Sequence, residues 1–509
     1  MIMNKGKNRG RMAQSRRCFG LLPIILWLLL IPAASGLAKG KTDSRLVLVT
    51  LTRVDFSDFS AGDYPYLQGL LTQGQVGLVS VRAPGRLSPE KVYQALSAAP
   101  SGFAGYNQLL PKMGLFGSTL HQAGKGTAFL GNADLPWKPN RAAKIMISDD
   151  RGAVDREVSD RSILRIDPEF PFGYCTDYQK IGDLVLGFLP TSDLILIETG
   201  DLERLEGYRG LMTEERWLFW RAKTLARIDT MLGNLRAAAS PETRIMVFVA
   251  TPPPAEDGND RPFLPLLIDQ KPERPGLLTS SATREPGLIT IPDFAALLVG
   301  LVDRNWEVPG EMGIVAGNWR ALQQKSTYWR TNLSQREIIL RIYLYLLICL
   351  FFIALFLPFT SWRRLTRLTR ELLPALAFLP LTLLLLAPFK ITAWPVLIIL
   401  IMVGCGGLWT LARLLFPTRL VAYRGLLIVT ALVILVDLVL GSKLMIASLF
   451  GPSPVLGLRF YGLGNEYLGV FLGAFLLGTA DFFIRSPWRR WTGALLVVGV
   501  LLLFSSSGG

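Results

Sequence analysis

The residues of this 509-residue chain that could do chemistry fall into a few groups. Thr52, Arg53 and Asp55 stand at and just after the end of the apolar run Leu46–Thr52. Reactive groups in open α/β sheets collect at the carboxyl ends of such strands. Asp55, Asp58 and Asp63 offer hard carboxylate oxygens for a cation, or, read as local structure, a solvated loop and helix cap. Asp201, Glu203 and Arg204 follow a second apolar run, Leu194–Ile197, and are either pocket residues or a charged loop. Arg459, Asn465 and Glu466 lie in the glycine-rich stretch Gly457–Tyr467, within or beside apolar segments. A charge at membrane depth is costly unless paired or lining a cavity. These residues are therefore substrate-binding groups, or Arg459 and Glu466 form a salt bridge across a tight turn. Asp437, inside an apolar segment, is a proton or ion group or a satisfied interhelical hydrogen bond. His121 is the single histidine, and it sits on a helical pattern beside Leu120 and Ala123, where packing or surface exposure suits it. Zinc and dinuclear hydrolase sites recruit several imidazoles, which this chain cannot supply.

The elements that must position these groups alternate in type. Gly77–Val81, Thr127–Leu130, Lys144–Ile147, Leu194–Ile197 and Ile245–Val249 read as strands, and Leu115–Ala123 and Trp217–Ala238 have helical spacing. Strands separated by helices predict an α/β domain with a largely parallel sheet between helices, over residues 39–332. Thr251–Pro265 is a proline-rich polar loop.

Composition divides the chain. Half of the residues are hydrophobic and only 18% are charged, too apolar for an ordinary soluble enzyme. The excess lies in residues 333–509, an all-α transmembrane bundle of about six helices, near 338–358, 371–388, 394–414, 425–445, 466–484 and 491–505. Residues 1–38 carry a basic stretch and then Leu21–Ala34, a signal peptide or an uncleaved anchor, and either one exports the residues after it. With the N-terminus inside, Arg363, Arg364, Arg367 and Arg370, then Arg413, Arg419 and Arg424, then Arg485, Arg489 and Arg490 fall on the inner side. Much of the net charge of +15 lies in such loops and in the N-terminal tail, so it sets orientation and does not indicate nucleic acid. Of four cysteines only Cys175 lies in the polar region, so no disulfide framework braces it. The ending Ser505–Gly509, directly after a span, is what a truncated chain would show.

With the strands placed, residues Leu46–Leu301 resemble the alkaline phosphatase superfamily, which includes sulfatases and phosphodiesterases. Tyr64-Pro-Tyr-Leu67 to Gly74 is similar to its helix after the first strand. Leu120–Gly124 with Thr127–Gly131 looks like its helix–glycine–strand unit. Asp229–Gly233 before Ile245–Val249 resembles the approach to its Asp-His-Gly metal motif. Thr283–Gly300, with Gly287, Asp293 and Leu297-Leu298, looks like its last strand and helix. The resemblance implies a site with one or two metals held by Asp and His. Here Thr52 stands where the first aspartate belongs, and Ala250-Thr-Pro-Pro253 stands in place of Asp-His-Gly. Ser97 is the nearest residue to the family's nucleophile. The resemblance thus implies a vacated site, with Thr52 and Ser97 as weak catalytic candidates and Asp55 and Asp58 as weak metal candidates. The whole architecture is also similar to bacterial membrane proteins that carry a degenerate phosphatase-like ectodomain ahead of a multi-span bundle, and Gly457–Tyr467 is the stretch most like them.

The expected role is recognition, by an exported pseudoenzyme in the cell membrane, of an envelope substrate that is phosphorylated or lipid-linked. Arg459, Asn465, Glu466, Asp201 and Arg204 are its binding residues, no cofactor is needed, and a membrane lipid or envelope polymer is the partner. The alternatives are a membrane-bound hydrolase or phosphotransferase, for which a metal-ligand set would speak, and a transporter with an accessory ectodomain, for which several buried charges per span would speak.

Overall fold

The computed structural model describes residues 45–82, 87–99, 113–253, 265–269, 274–303, 306, 311–359, 361–457 and 459–484. The signal or anchor segment, most of the proline-rich loop and the apolar segment near 491–505 lie outside the described residues.

The strands are β1 (Leu46–Leu51), β2 (Gln75–Ser80), β3 (Thr127–Gly131), β4 (Arg156–Val158), β5 (Leu164–Ile166), β6 (Tyr174–Thr176), β7 (Leu194–Glu198), β8 (Arg244–Val249), β9 (Leu266–Asp269), β10 (Gly276–Ser280), β11 (Leu288–Thr290) and β12 (Met312–Val315). β5 and β6 form a separate antiparallel pair. The rest make one sheet in the order β12-β10-β2-β9-β8-β1-β7-β3-β4, with β11 also paired to β2. β9 runs antiparallel to β2 and β8, and β12 runs antiparallel to β10. The other pairings are parallel, so the sheet is mixed but mostly parallel.

β1 takes the centre because both of its faces are apolar. Leu46 and Leu48 point into one core with Val92, Phe116, Phe129, Phe248 and Phe294. Val47, Val49 and Leu51 point into the other with Leu67, Ile181, Ile228 and Leu232. This alternation is the period-2 geometry of a strand buried on both sides. Helices 89–97, 115–122 and 291–302 cover the first face, and helices 65–73, 178–188 and 214–238 cover the second. The strand expected at Lys144–Ile147 is a 3-10 helix, Ala142–Met146. Its apolar run is too short to separate a strand from a helical turn, and Ala142, Ala143 and Met146 are all buried from the turn conformation.

No loop separates this domain from the helical region. Trp319–Phe356 is a single helix of 38 residues, about 57 Å long. Its first half packs Leu322, Trp329 and Leu333 into the α/β core. Beyond Ile338 it exposes Ile342, Leu344, Phe351 and Phe356, surface suited to lipid rather than water. Among the described residues, three helices are long and apolar enough to cross a membrane: the one running over Trp319–Phe359, Trp394–Leu415 and Arg419–Val439. The pair Arg363–Ala377 and Leu379–Phe389, bent by 44°, makes a fourth if counted as one span. Helix Asn465–Ile484 packs on Arg419–Val439 through Tyr467, Phe471 and Ala474.

Candidate functional site

Because β1, β2, β7, β8, β10 and β11 run in one direction, their carboxyl ends share one edge of the sheet. At its middle lies a small cleft lined by Thr50, Thr52, Tyr93, Asn140, Glu198 and Glu203. Register builds it: Thr50 of β1 sits opposite Glu198 of β7. Thr50 Oγ1 donates to the Ile197 carbonyl (3.0 Å), and Thr199 Oγ1 donates to the Thr50 carbonyl (3.0 Å). Beyond Thr52 the chain turns sharply. Arg53 adopts a left-handed conformation (φ 61°), unusual for a residue with a side chain. Its N–H donates to Thr251 Oγ1 (3.3 Å), its carbonyl accepts from Arg221, and its Nε donates to Glu203 (3.2 Å). Strain held by this many partners belongs to places where the fold fixes a geometry at some cost.

Three groups in the cleft lack partners. Thr52 Oγ1, Tyr93 OH and Glu198 Oε2 are buried without a hydrogen bond. Glu198 Oε1 accepts only a 3.4 Å bond from the Ala143 N–H. Burial pushes the Glu198 carboxyl up to about 8, with Glu203 adding to the rise and Arg141 opposing it, so the group is largely neutral at pH 7. Burial also holds the Tyr93 phenol well above its ordinary value. The cleft encloses about 10 Å³, room for about one water and too little for a phosphate ester.

The other sequence-derived candidates lie elsewhere. Asp55 caps helix Phe56–Ala61, accepting from Ser57 N (2.7 Å), and Asp58 accepts from Asp55 N (2.8 Å). Asp58 also takes a two-pronged ion pair from Arg221, at 2.8 Å on each prong. Both carboxylates are committed to a capping box and an ion pair. Among the described residues no group of three or more His, Cys, Asp or Glu could hold a metal ion. Ser97 is buried at the end of helix Pro89–Ser97 remote from the cleft, where its Oγ accepts from Gly114 N (2.8 Å). The start of that helix, through Pro89 and Tyr93, lines the cleft. His121 is at the opposite edge of the sheet, beside Thr127 at the start of β3 (3.2 Å).

Asp201 and Arg204 have no exposed surface at all. Asp201 Oδ1 accepts from Arg204 Nη2 (2.7 Å), Thr176 N (2.9 Å) and Thr176 Oγ1 (3.0 Å), and Arg204 Nη1 donates to the Asn132 carbonyl (2.9 Å). The pair ties β6, the turn after β3 and helix Asp201–Tyr208 together beneath the edge, while Asp201 Oδ2 and Arg204 Nε are buried without a hydrogen bond. Asp437 is similarly committed, accepting from Leu444 N and Met445 N at 2.9 Å each.

Glu466 pairs with Arg336 at 2.5 Å, not with Arg459. Arg336 Nη1 also donates to the Gly451 carbonyl (2.6 Å), so this one side chain clamps the loop before helix Asn465–Ile484 onto helix Trp319–Phe356. Arg459 is exposed and donates to the Leu463 carbonyl, and Asn465 is exposed. Sequence reading missed Arg336, which is 130 positions from its partner. It also missed Glu198, although Glu198 directly follows the Leu194–Ile197 run and could have been found there.

The helical region reaches this same edge. Ser80 Oγ, at the carboxyl end of β2, donates to the Pro454 carbonyl (2.9 Å), and Val455 enters the α/β core. Tyr328 OH and Asn332 Nδ2 donate to the Ala447 carbonyl (2.7 and 3.1 Å). A side chain at Gly457 would meet Ser80 Oγ at 2.9 Å, so the loop approaches as closely as glycine allows.

No protein-family model matches the sequence, and no curated protein matches it. Several solved structures do. A protein of the alkaline phosphatase superfamily from Vibrio parahaemolyticus is 14% identical, over 54% of this chain and 68% of its own, with a TM-score of 0.35. The PH0037 protein from Pyrococcus horikoshii is 13% identical, over 53% and 100%, at 0.34. Murine ectonucleotide pyrophosphatase/phosphodiesterase 5 in complex with AMP is 10% identical, over 55% and 99%, at 0.33.

Proposed function

We propose that the chain is a multi-pass protein of the cell membrane whose α/β domain, exported to the outer face, recognises an envelope substrate without hydrolysing it and couples that recognition to the helical bundle. The substrate class is phosphorylated or lipid-linked. The observation that carries this reading is the chemistry of the sheet's carboxyl edge. Thr52 and Thr251 are buried at this edge, at positions where the resemblance to metal-dependent phosphatases implies acids and imidazoles, and the one buried carboxyl beside them, Glu198, is held neutral by burial. A threonine hydroxyl with neither a general base nor a metal is a poor nucleophile. Support for coupling comes from the contacts between the bundle's Pro454–Gly457 segment and Ser80 on that same edge, and from the continuous helix Trp319–Phe356.

The test uses the full chain purified in detergent and supplied with zinc, magnesium or manganese. It is assayed against p-nitrophenyl phosphate, bis-p-nitrophenyl phosphate and p-nitrophenyl sulfate. The expected result is no turnover above blank and no stoichiometric metal. Bound metal together with turnover lost in Thr52→Ala would establish the membrane hydrolase instead.

A further inference from the structure

A chemically distinctive space lies where the α/β domain meets the helix ends. This cavity, about 820 Å³, is the size of a site that encloses a small ligand. Its walls come from the Thr283–Pro286 turn after β10, the N-terminal half of helix Trp319–Phe356, the Ala387–Lys390 end of the bent pair, the Gly441–Ala447 segment and Phe460–Gly462. Four cations line it, Arg284, Lys325, Lys390 and Lys443, against one carboxylate, Glu285. Lys325 is paired with Glu285 and donates to the Pro286 carbonyl (3.1 Å). Arg284 lies over the Tyr461 ring at 4.1 Å, and Lys325 lies over Trp329 at 5.1 Å. Lys390 and Lys443 have no carboxylate partner among the described residues.

Membrane orientation does not account for these two lysines. The cations that serve it, such as Arg363, Arg364, Arg413 and Arg419, sit at the helix ends remote from the α/β domain, and Arg419 pairs there with Glu371. Lys390 and Lys443 close the near ends, and the same cavity is lined by Tyr461, a ring type that favours the membrane–water boundary, and by Trp329, which is seated in the α/β core. The cavity therefore offers uncompensated positive charge at headgroup level, and apolar wall from Leu438, Leu444 and Ile446 below it.

We propose that this junction cavity binds the phosphate of an anionic lipid, with the headgroup held by Lys390, Lys443 and Arg284 and the chains leaving along the apolar wall. This deepens the recognition reading and rests on it for the class of substrate. Its test is separate, because it reads binding and not turnover.

The full chain in non-ionic detergent is titrated with dioleoyl phosphatidate and with dioleoyl phosphatidylcholine, and bound lipid is counted by native mass spectrometry. One phosphatidate should be retained, at least tenfold more tightly than phosphatidylcholine. Lys390→Gln with Lys443→Gln should weaken phosphatidate on the order of 20-fold, while Lys390→Arg with Lys443→Arg should keep it. Both lysines are exposed, so the thermal midpoint of each variant should stay near that of the parent. Millimolar glycerol 3-phosphate should not compete. Competition by glycerol 3-phosphate as strong as by the lipid would overturn the lipid assignment in favour of a water-soluble phosphate ester. Equal retention of the two lipids, or no loss in the Gln variant, would overturn the site itself. Hydrolysis of phosphate esters with this binding intact would sink only the non-catalytic reading.

Discussion

Glu198 gives the sharpest handle on the sheet edge. Its carboxyl is buried at the end of β7 with one oxygen unpartnered, and burial raises it from 4.5 to about 8. Between those two values the native state holds a proton that the unfolded chain releases, so stability falls as pH rises through that window. It is unaffected below about pH 4.5 and levels off above about pH 8. At roughly 1.4 kcal/mol per pH unit the ceiling of the effect is about 5 kcal/mol. Relaxation of the cleft and entry of water reduce it, so about 2–3 kcal/mol is the expected size. Glu198→Gln keeps the shape of the protonated acid and removes the titration. The full chain and the variant are unfolded thermally in detergent at intervals from pH 5 to pH 8.5. The gap in midpoint between them should be small at pH 5 and widen in the variant's favour up to about pH 8, by several degrees. A gap that stays constant across the range, or one that favours the parent at pH 8, would refute a neutral buried Glu198.

Two further outcomes rest on the same geometry. Arg336→Ala removes a half-buried clamp made of two charge-assisted hydrogen bonds and should cost about 2 kcal/mol in thermal unfolding, whereas Arg459→Ala, at an exposed position, should cost under about 1 kcal/mol; the reverse ranking would show that Arg459 is the one that matters to the fold. On the proposed orientation, Asp150→Cys should react with an impermeant thiol reagent in intact cells, in a background with its other cysteines replaced, and Leu365→Cys should not; labelling only at position 365 would invert the topology.

How much was legible in the sequence depends on how strands are buried. β1, β3, β7 and β8 are covered on both faces, so they read as plain apolar runs. β12 was invisible: it is a four-residue edge strand, only partly buried, flanked by glycine and proline in the sequence. The Ala142–Met146 turn was misread because five residues cannot display a period. At the site, Thr52 was found because it ends an apolar run, and Glu198 obeys the same rule at the end of β7. Arg336–Glu466 and the junction cavity could not be found that way. Each joins segments more than 100 positions apart, and no local pattern encodes such a meeting.

The arrangement at the sheet edge carries the functional argument further than any single residue. In open α/β sheets the carboxyl edge is where ligands enter, usually from solvent. Here the edge nearest the helical region is already occupied by Pro454 against Ser80 and by the close approach of Gly457. The cleft left at its centre admits about one water. A larger space opens between the domain and the helix ends, and its free charges are lysines at those ends. A ligand held in that space would meet the α/β domain and the bundle together. One molecule bound there would touch the turn after β10, helix Trp319–Phe356 and the segment after helix Arg419–Val439 at once. If those contacts differ between two arrangements of the bundle, binding must bias one over the other, because a ligand shifts an equilibrium only through its differential affinity for the two states. The long helix, rooted in the α/β core at Trp329 and exposed to lipid beyond Ile338, is the element through which that bias would travel.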